Sequence, residues 1–287
     1  MAQLFDRRVR LLLARKVAED FKTMSTDVVE ITDLRVSFRV RKSAAKEPNT
    51  AEVTVTNLAP TSRAALQVKG VKFQLEAGYT GTGLKRVFSG DVRNLDHIRE
   101  GTSWNTVIKS GDGERAFRFA RVSESHAAGA PASDVVRKLA GALGLGLGNF
   151  AQVSDMLGAT RFESGLVTHG PASSELEKVL RGAGVSWSIQ DGELQFQRDD
   201  LQIGPQVPEI SPDSGLVGSP EFGAPVIKGG PRLLTFRCLL NADLRPGGRV
   251  QIKSLRHTGV VRIFKVEHSG DTHGGDWYTS CEGFPSR

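Results

Sequence analysis

The chain has 287 residues, 39% hydrophobic and 24% charged, a balance that excludes a disordered or acidic-tail protein and gives room for about two domains. No apolar run reaches the roughly 18 residues a membrane helix needs, no secretory h-region follows Met1, and two cysteines, Cys238 and Cys281, are too few for a disulfide scaffold. The formal net charge of +6 invites a nucleic-acid reading, but the excess is local: residues 1–46 carry 11 Lys and Arg against 6 Asp and Glu, residues 47–200 carry 17 against 18, and residues 201–287 carry 10 against 8.

The basic stretch ends in Arg35, Arg39, Arg41 and Lys42, with Phe38 alternating among them. A nucleic-acid groove interleaves such cations with exposed aromatics for stacking; the alternation here predicts a strand with Phe38 turned into the core. More alternation follows, with Val53 and Val55 on one face of a strand and Val71, Phe73 and Leu75 on one face of another. Arg86–Val92, Trp104–Lys109 and Ala116–Phe119 are further predicted strands, separated by turns at Gly78–Gly83 and Asp112-Gly113.

The middle of the chain changes period. Ser133 is a predicted N-cap for a helix with Val135, Val136, Leu139 and Leu143 on one face, ended by Gly141, Gly144, Gly146 and Gly148. A second helix is predicted to start near Ser173 or Ser174, to turn Leu176, Val179 and Leu180 inward, and to stop at Gly182-Ala183-Gly184. A hairpin then alternates Val185, Trp187 and Ile189, turns at Asp191-Gly192 as a type I′ pair, and returns through Leu194 and Phe196. Residues 204–231 hold half of the 12 prolines, which predicts an extended, edge-like or looping segment because proline cannot donate to a central ladder. β-rich sequence resumes at Leu233.

The last segment echoes the first. Glu52–Leu58 parallels Leu234–Leu240, Gly70–Gly78 parallels Gly248–Ser254, and Lys85–Val92 parallels Val261–His268, which sets Arg86 beside Arg262 and Phe88 beside Phe264. Trp104-Asn105-Thr106-Val107 then parallels Trp277-Tyr278-Thr279-Ser280. The expected organisation is a first β-barrel domain over 1–121, a small α+β module over 122–203, and a Pro/Gly-rich linker with a second, related antiparallel β-barrel over 204–287.

Chemistry-bearing motifs are sparse. There is no Walker A loop, no G-x-S-x-G elbow and no His-Glu-x-x-His helix. Gly144-x-Gly146-x-Gly148 ends a helix instead of joining a strand to one, so the phosphate-cradling geometry is missing. His268, Asp271, His273 and Asp276 offer two imidazoles and two carboxylates to a metal, and a metal-dependent enzyme built on His268, His273 and Asp276 is one alternative; a polar turn between strands is the simpler reading. A basic nucleic-acid-binding β protein using Arg35, Arg39, Arg41 and Lys42 is the other. Glu175, Glu177, Asp199 and Asp200 look like solvated acids, and His97, His126, His169 and His257 look isolated. Trp104, Trp187 and Trp277 are expected core anchors, and the two cysteines are expected to be buried free thiols.

A set of ordered short stretches carries a resemblance. These are Ile31-Thr-Asp-Leu-Arg-Val-Ser-Phe38, Glu47-Pro48-Asn49-Thr50-Ala51 with Asn57-Leu58, Leu75–Tyr79, Val87–Val92, Asp112-Gly113, Ser214–Gly218, Leu239–Asn241 with Pro246-Gly247, and His268–Asp271 leading to Asp276-Trp277. Over nearly its whole length the chain resembles the baseplate hub proteins of contractile-tailed bacteriophages, the late control or protein D-like tail proteins. The resemblance implies a homotrimer in which each subunit gives two tail-tube-like barrels to a pseudo-six-fold ring. It implies partners in the tail tube, central spike, tape measure and other baseplate proteins, with DNA passing transiently through the channel and no stable membrane insertion. It implies a virion protein assembled in the host cytoplasm. No catalytic residue, metal or cofactor is expected, nor the lysozyme-type domain that some relatives carry.

Overall fold

The computed structural model describes residues 6–14, 28–66, 71–198, 201, 203–204, 206–225 and 232–286. Gly70, Asp199, Asp200, Pro205 and Pro231 lie outside the described residues. The chain divides into two compact units: Met1–Ser43, Thr50–Gly111 and Gly204–Arg287 form one, and Ala44–Asn49 with Asp112–Ile203 form the other.

The first unit begins with β1 (Arg7–Ala14), β2 (Val28–Ile31), β3 (Val36–Ser43), β4 (Thr50–Thr56), α1 (Pro60–Leu66), β5 (Lys72–Tyr79), β6 (Gly83–Glu100) and β7 (Ser103–Gly111). The chain then builds the second unit from α2 (Glu114–Phe119), β8 (Arg121–His126), β9 (Ala130–Pro131), α3 (Ala132–Leu143), α4 (Ser154–Ala159), β10 (Arg161–Phe162), β11 (Leu166–Pro171), α5 (Ala172–Gly182), β12 (Ser186–Gln190) and β13 (Glu193–Gln197). It returns to the first with β14 (Glu209–Ile210), β15 (Leu216–Pro225), β16 (Arg232–Leu239), β17 (Arg249–Lys253), β18 (Thr258–Asp271) and β19 (Trp277–Pro285). The fold is mainly β, as expected, and the first unit is one 13-stranded sheet. No pairing among the described residues closes it into a barrel.

Alternation decides which face of each strand is buried. In β3, Val36, Phe38 and Val40 are buried while Arg39 and Arg41 are exposed; in β4, Ala51, Val53 and Val55 are buried. The buried side chains gather into two cores. Leu11, Phe38, Val53, Phe73, Phe88 and Ile108 belong to one, and Phe236, Val250, Ile252, Ile263 and Cys281 to the other.

The two halves of this sheet repeat. The order β4-β7-β6-β5 recurs as β16-β19-β18-β17, and β3 flanks β4 as β15 flanks β16. An irregularity falls between Val92 and Asn94 on β6 and between Ile263 and Lys265 on β18. Nδ1 of His97 lies 3.0 Å from the Thr106 hydroxyl, and Nδ1 of His268 lies 2.9 Å from the Thr279 hydroxyl, each pair directly across a ladder. These landmarks set Trp104 opposite Trp277 in the repeat, as the sequence predicts. They shift the other expected equivalences: Phe264 corresponds to Arg93 and not to Phe88, and Thr235, not Leu234, corresponds to Glu52. For β6 and β18 the cause is the β18–β19 connection, Thr272–Asp276, which is longer than the Gly101-Thr102 turn of the first copy; for β4 and β16 the register is set by their pairing with β7 and β19.

The second unit packs α3 against α5. Val135, Val136, Leu139 and Leu143 of α3 and Leu176, Val179 and Leu180 of α5 are all buried in its core. The predicted N-caps are off by a residue or two: α3 begins at Ala132 after Pro131, so Ser133 sits in its first turn, and Gly144 ends it in a left-handed conformation with φ 65°. The hairpin pairs Trp187 with Phe196 and Ile189 with Leu194, and Asp191 and Gly192 have φ of 57° and 86°, as a type I′ turn requires. Asp112, fully buried, holds that turn: its carboxylate oxygens accept from the backbone N–H of Asp191 at 2.5 Å and of Gly192 at 2.7 Å. Asn49 Nδ2 donates to the Ile189 carbonyl at 2.8 Å and to Gln190 Oε1 at 3.0 Å.

Three sequence expectations fail here. Ala116–Phe119 is helix, not strand: the Phe117 N–H donates to the Gly113 carbonyl and its ring packs 6.4 Å from that of Trp187, so a short apolar run of ambiguous period is settled by packing. Glu175 is buried, with Lys178 Nζ 2.6 Å away, and Glu177 is paired by Lys46 at 2.7 Å and Arg181 at 2.9 Å. His126 and His169 are not isolated, lying 3.2 Å from the Thr168 hydroxyl and 3.4 Å from the Ser123 hydroxyl.

Candidate functional site

The most built feature of the first unit is the joint between its two halves, where β3 pairs antiparallel with β18. Ser43 to Ser37 run opposite Lys265 to Asp271, with Val40 opposite His268 and Phe38 opposite Gly270. On the buried face, Phe38 meets Trp277 edge-on with ring centroids 5.6 Å apart, and Tyr79 meets the same indole at 6.3 Å. Gly270 is required between them, because a Cβ there would fall 2.5 Å from the Phe38 ring and 2.8 Å from Trp277. Arg7 seals the end of the joint. Its guanidinium donates to the Gly274 carbonyl at 2.7 Å and to the Gly275 carbonyl at 3.3 Å, and lies 5.6 Å from the Trp277 ring centroid.

The outer face of the joint carries the charges that the sequence singles out. Arg35 donates to both carboxylate oxygens of Asp271, at 3.2 and 2.8 Å. Arg41 reaches Glu267 at 2.7 Å and Arg39 reaches it at 3.5 Å. The Arg35 guanidinium holds the Asp271 carboxyl below the usual carboxylate range. These pairs sit at the surface, where solvent screens them; the apolar contacts of Phe38 and Trp277 contribute more, about 2–3 kcal/mol for each fully buried side chain. Lys42 is buried, with its ammonium 5.9 Å from the Phe88 ring centroid.

Two candidate sets from the sequence therefore lie on the two sides of one seam, in roles other than those considered for them. Three of the four cations are matched by carboxylates of the neighbouring strand, so they do not form a bare basic strip for phosphates. The loop residues do not converge on a metal. His268 points into the core, where burial first, then Lys42 and Arg245, push its pKa down to about 3. His273 is exposed beside the Thr272 hydroxyl, and Asp271 is engaged by Arg35. Among the described residues there is no group of three or more His, Cys, Asp or Glu placed to hold a metal. Cys238 and Cys281 are buried free thiols; burial pushes Cys238 up to about 12 and Cys281 well above the ordinary value, so neither is a ready nucleophile. Trp187 and Trp277 are core anchors as expected, but Trp104 is 37% exposed. No helix among the described residues is long and apolar enough to cross a membrane.

A family profile described as baseplate hub gp41 matches residues 16–260. The chain belongs to the baseplate hub gp41 family. Membership carries a structural role at the hub of a phage-type tail baseplate and a place in the virion tail. No curated protein matches the sequence. Among solved structures, this hub-family chain is similar to the tail protein from Neisseria meningitidis MC58, with a TM-score of 0.64 at 10% identity over 98% of this chain and 97% of that one. It is similar to the 43 kDa tail protein of prophage MuSo2 from Shewanella oneidensis, with a TM-score of 0.64 at 8% identity over 96% of each chain. It is also similar to the E. coli c3393 protein, a type VI secretion system component whose own description notes likeness to T4 tail proteins gp27 and gp5, with a TM-score of 0.58 at 12% identity over 88% of this chain and 74% of that one. At these identities the likeness shows the hub chain's fold.

Proposed function

We propose that this hub acts as a homotrimeric ring that adapts the six-fold tail tube to the three-fold central spike and lines a channel for the tape measure protein and for DNA in passage. The observation that carries this reading is the repeat inside the first unit. Each chain contributes two copies of one strand order, so three chains present six similar units on a three-fold axis. Residues 1–121, apart from 44–49 and 112–121, and residues 204–287 would then supply two tube-like β domains, with barrel closure completed in the assembly and the remainder, residues 122–203 included, standing as a separate module. The ring would meet other baseplate proteins at its rim, act without cofactor or catalytic residues, and be assembled in the host cytoplasm. The descriptions of the neighbouring tail and secretion proteins support partners of this kind. Electron microscopy of the purified chain at high concentration, alone and with tube and spike proteins, tests the reading: rings with three-fold symmetry are expected, and a strictly monomeric species that joins neither partner would refute it.

A further inference from the structure

The internal repeat has one unmatched position. In the second copy, β17 covers β18 over Thr258–Arg262 and β3 covers the same side over Lys265–Asp271. In the first copy, β5 covers β6 over Gly83–Asp91, and among the described residues no strand covers Val92–Glu100 on that side. The strand equivalent to β3 is β15, which ends the sheet and, among the described residues, pairs on one side only, with β16. One chain thus carries an open ledge on β6 and an unused strand edge on β15, and its own β3–β18 joint shows how such a pair fits.

The side chains on both surfaces agree. Trp277 is 1% exposed beneath β3, whereas its counterpart Trp104 is 37% exposed and Ile98 is 46% exposed. On β15, Val217 is 36% exposed and Phe222 49%. These four are half of the eight large exposed hydrophobics among the described residues. The packing details differ in a matched way. Gly270 makes room for Phe38 in the existing joint, whereas its counterpart on β6 is Arg99, and at Phe38's place β15 has the irregular Gly218-Ser219-Pro220. A large ring is replaced by small residues where a glycine is replaced by a long side chain. Proline inside β15 fits a strand whose outer edge is joined late, since it donates nothing to a ladder.

We infer that β15 of one chain adds antiparallel to β6 of a second copy along Val92–Glu100, repeating the β3–β18 joint between subunits. This rests on the proposed ring and names the surface that closes it. Transferring the register places Phe222 opposite His97 and Glu221 opposite Ile98, with Phe222 over Leu95 and His97 on the inner face and Val217 near Ile98 on the outer. One contact is weaker than in the template: Asp96 takes the place of Glu267 and Glu221 that of Arg39, so two acids meet where the joint within the chain has an ion pair.

The test uses the full chain with Ile98→Cys and Glu221→Cys together, oxidised at high concentration, with each single variant and the native chain as controls. Directly opposed strand residues fall within the Cα separation that a disulfide bridges. Disulfide-linked dimers and closed trimers, and nothing larger, are expected on a non-reducing gel from the double variant alone. Trimers by native mass spectrometry without cross-linking would overturn the pairing and leave the ring reading standing. Neither trimer nor cross-link would overturn both, while cross-linked ladders beyond the trimer would uphold the pairing and refute three-fold closure. Two further variants probe the register. Phe222→Arg is expected to weaken association at least tenfold, and Glu221→Lys to strengthen it at low salt; indifference to both would overturn the assignment.

Discussion

Acidification should unfasten the joint between the two halves of the sheet through a single imidazole. His268 is fully buried, its Nδ1 is 2.9 Å from the Thr279 hydroxyl, and Lys42 and Arg245 add positive charge nearby. Its pKa therefore falls from 6.5 to about 3. As the pH drops, the unfolded chain takes up this proton first, so the stabilisation is complete above pH 6.5 and drains away between 6.5 and about 3. At 1.36 kcal/mol per pH unit, going from pH 7.5 to pH 5 costs about 2 kcal/mol, while carboxylates of ordinary pKa add little in that range. Urea unfolding of the native chain and of His268→Gln at both pH values measures it. The glutamine variant should lose about 2 kcal/mol less on acidification, even if it starts from a lower stability. His97, lowered in the same direction by burial and Arg63, contributes a smaller share that His97→Gln separates. An acid-induced loss unchanged in His268→Gln would refute the reasoning.

The remaining predictions concern the joint and the hairpin of the second unit. Trp277→Ala should cost about 3–5 kcal/mol in chemical denaturation of the monomer, whereas Trp104→Ala at the equivalent position, part-exposed and stacked against Arg63, should cost less, about 1–2 kcal/mol; equal costs would contradict the difference in burial. Gly270→Ala should destabilise by about 1–3 kcal/mol and be partly rescued by Phe38→Leu, measured as a double-mutant cycle. Asp112→Ala strips the part-buried N–H groups of Asp191 and Gly192 of their acceptor and should cost about 1–2 kcal/mol, with faster hydrogen exchange at both. Joint charge reversal of Arg39 and Arg41 should change stability by no more than about 1–2 kcal/mol, salt-dependently, but impair assembly or DNA passage when infectivity is scored; unchanged infectivity would leave both as solvated surface.

Local periodicity carried much of the fold. The faces of α3 and α5 follow from i, i+3, i+4 spacing, and the Asp191-Gly192 turn from two residues that tolerate positive φ. The β character of the flanking segments follows from alternation in β3 and β4. What depended on sequence-distant partners was not legible. Alternation alone leaves the register of a repeat open by a residue, so Glu52 aligned with Leu234 until the ladders placed it with Thr235. Trp104 and Trp277 lie in similar strand patterns, and only the presence of β3 over one and not the other separates their burial. The cations at Arg35, Arg39 and Arg41 look alike in any chain; that Asp271 and Glu267 face them becomes visible only when strands more than two hundred residues apart pair. The polar run His268–Asp276 mixed one core residue with exposed ones, a distinction that composition does not carry.

The chain passes between its two units four times, because the β3–β4 connection, Ala44–Asn49, belongs to the second unit and not to the sheet it links. The second unit is therefore not a cassette plugged into one site. Splicing Gly111 to Gly204 would remove residues 112–203 yet leave Asn49 without the Ile189 carbonyl and Gln190 amide that hold it. For the same reason, a trimmed hub for assembly studies should replace residues 44–49 with a short two-residue turn instead of keeping them.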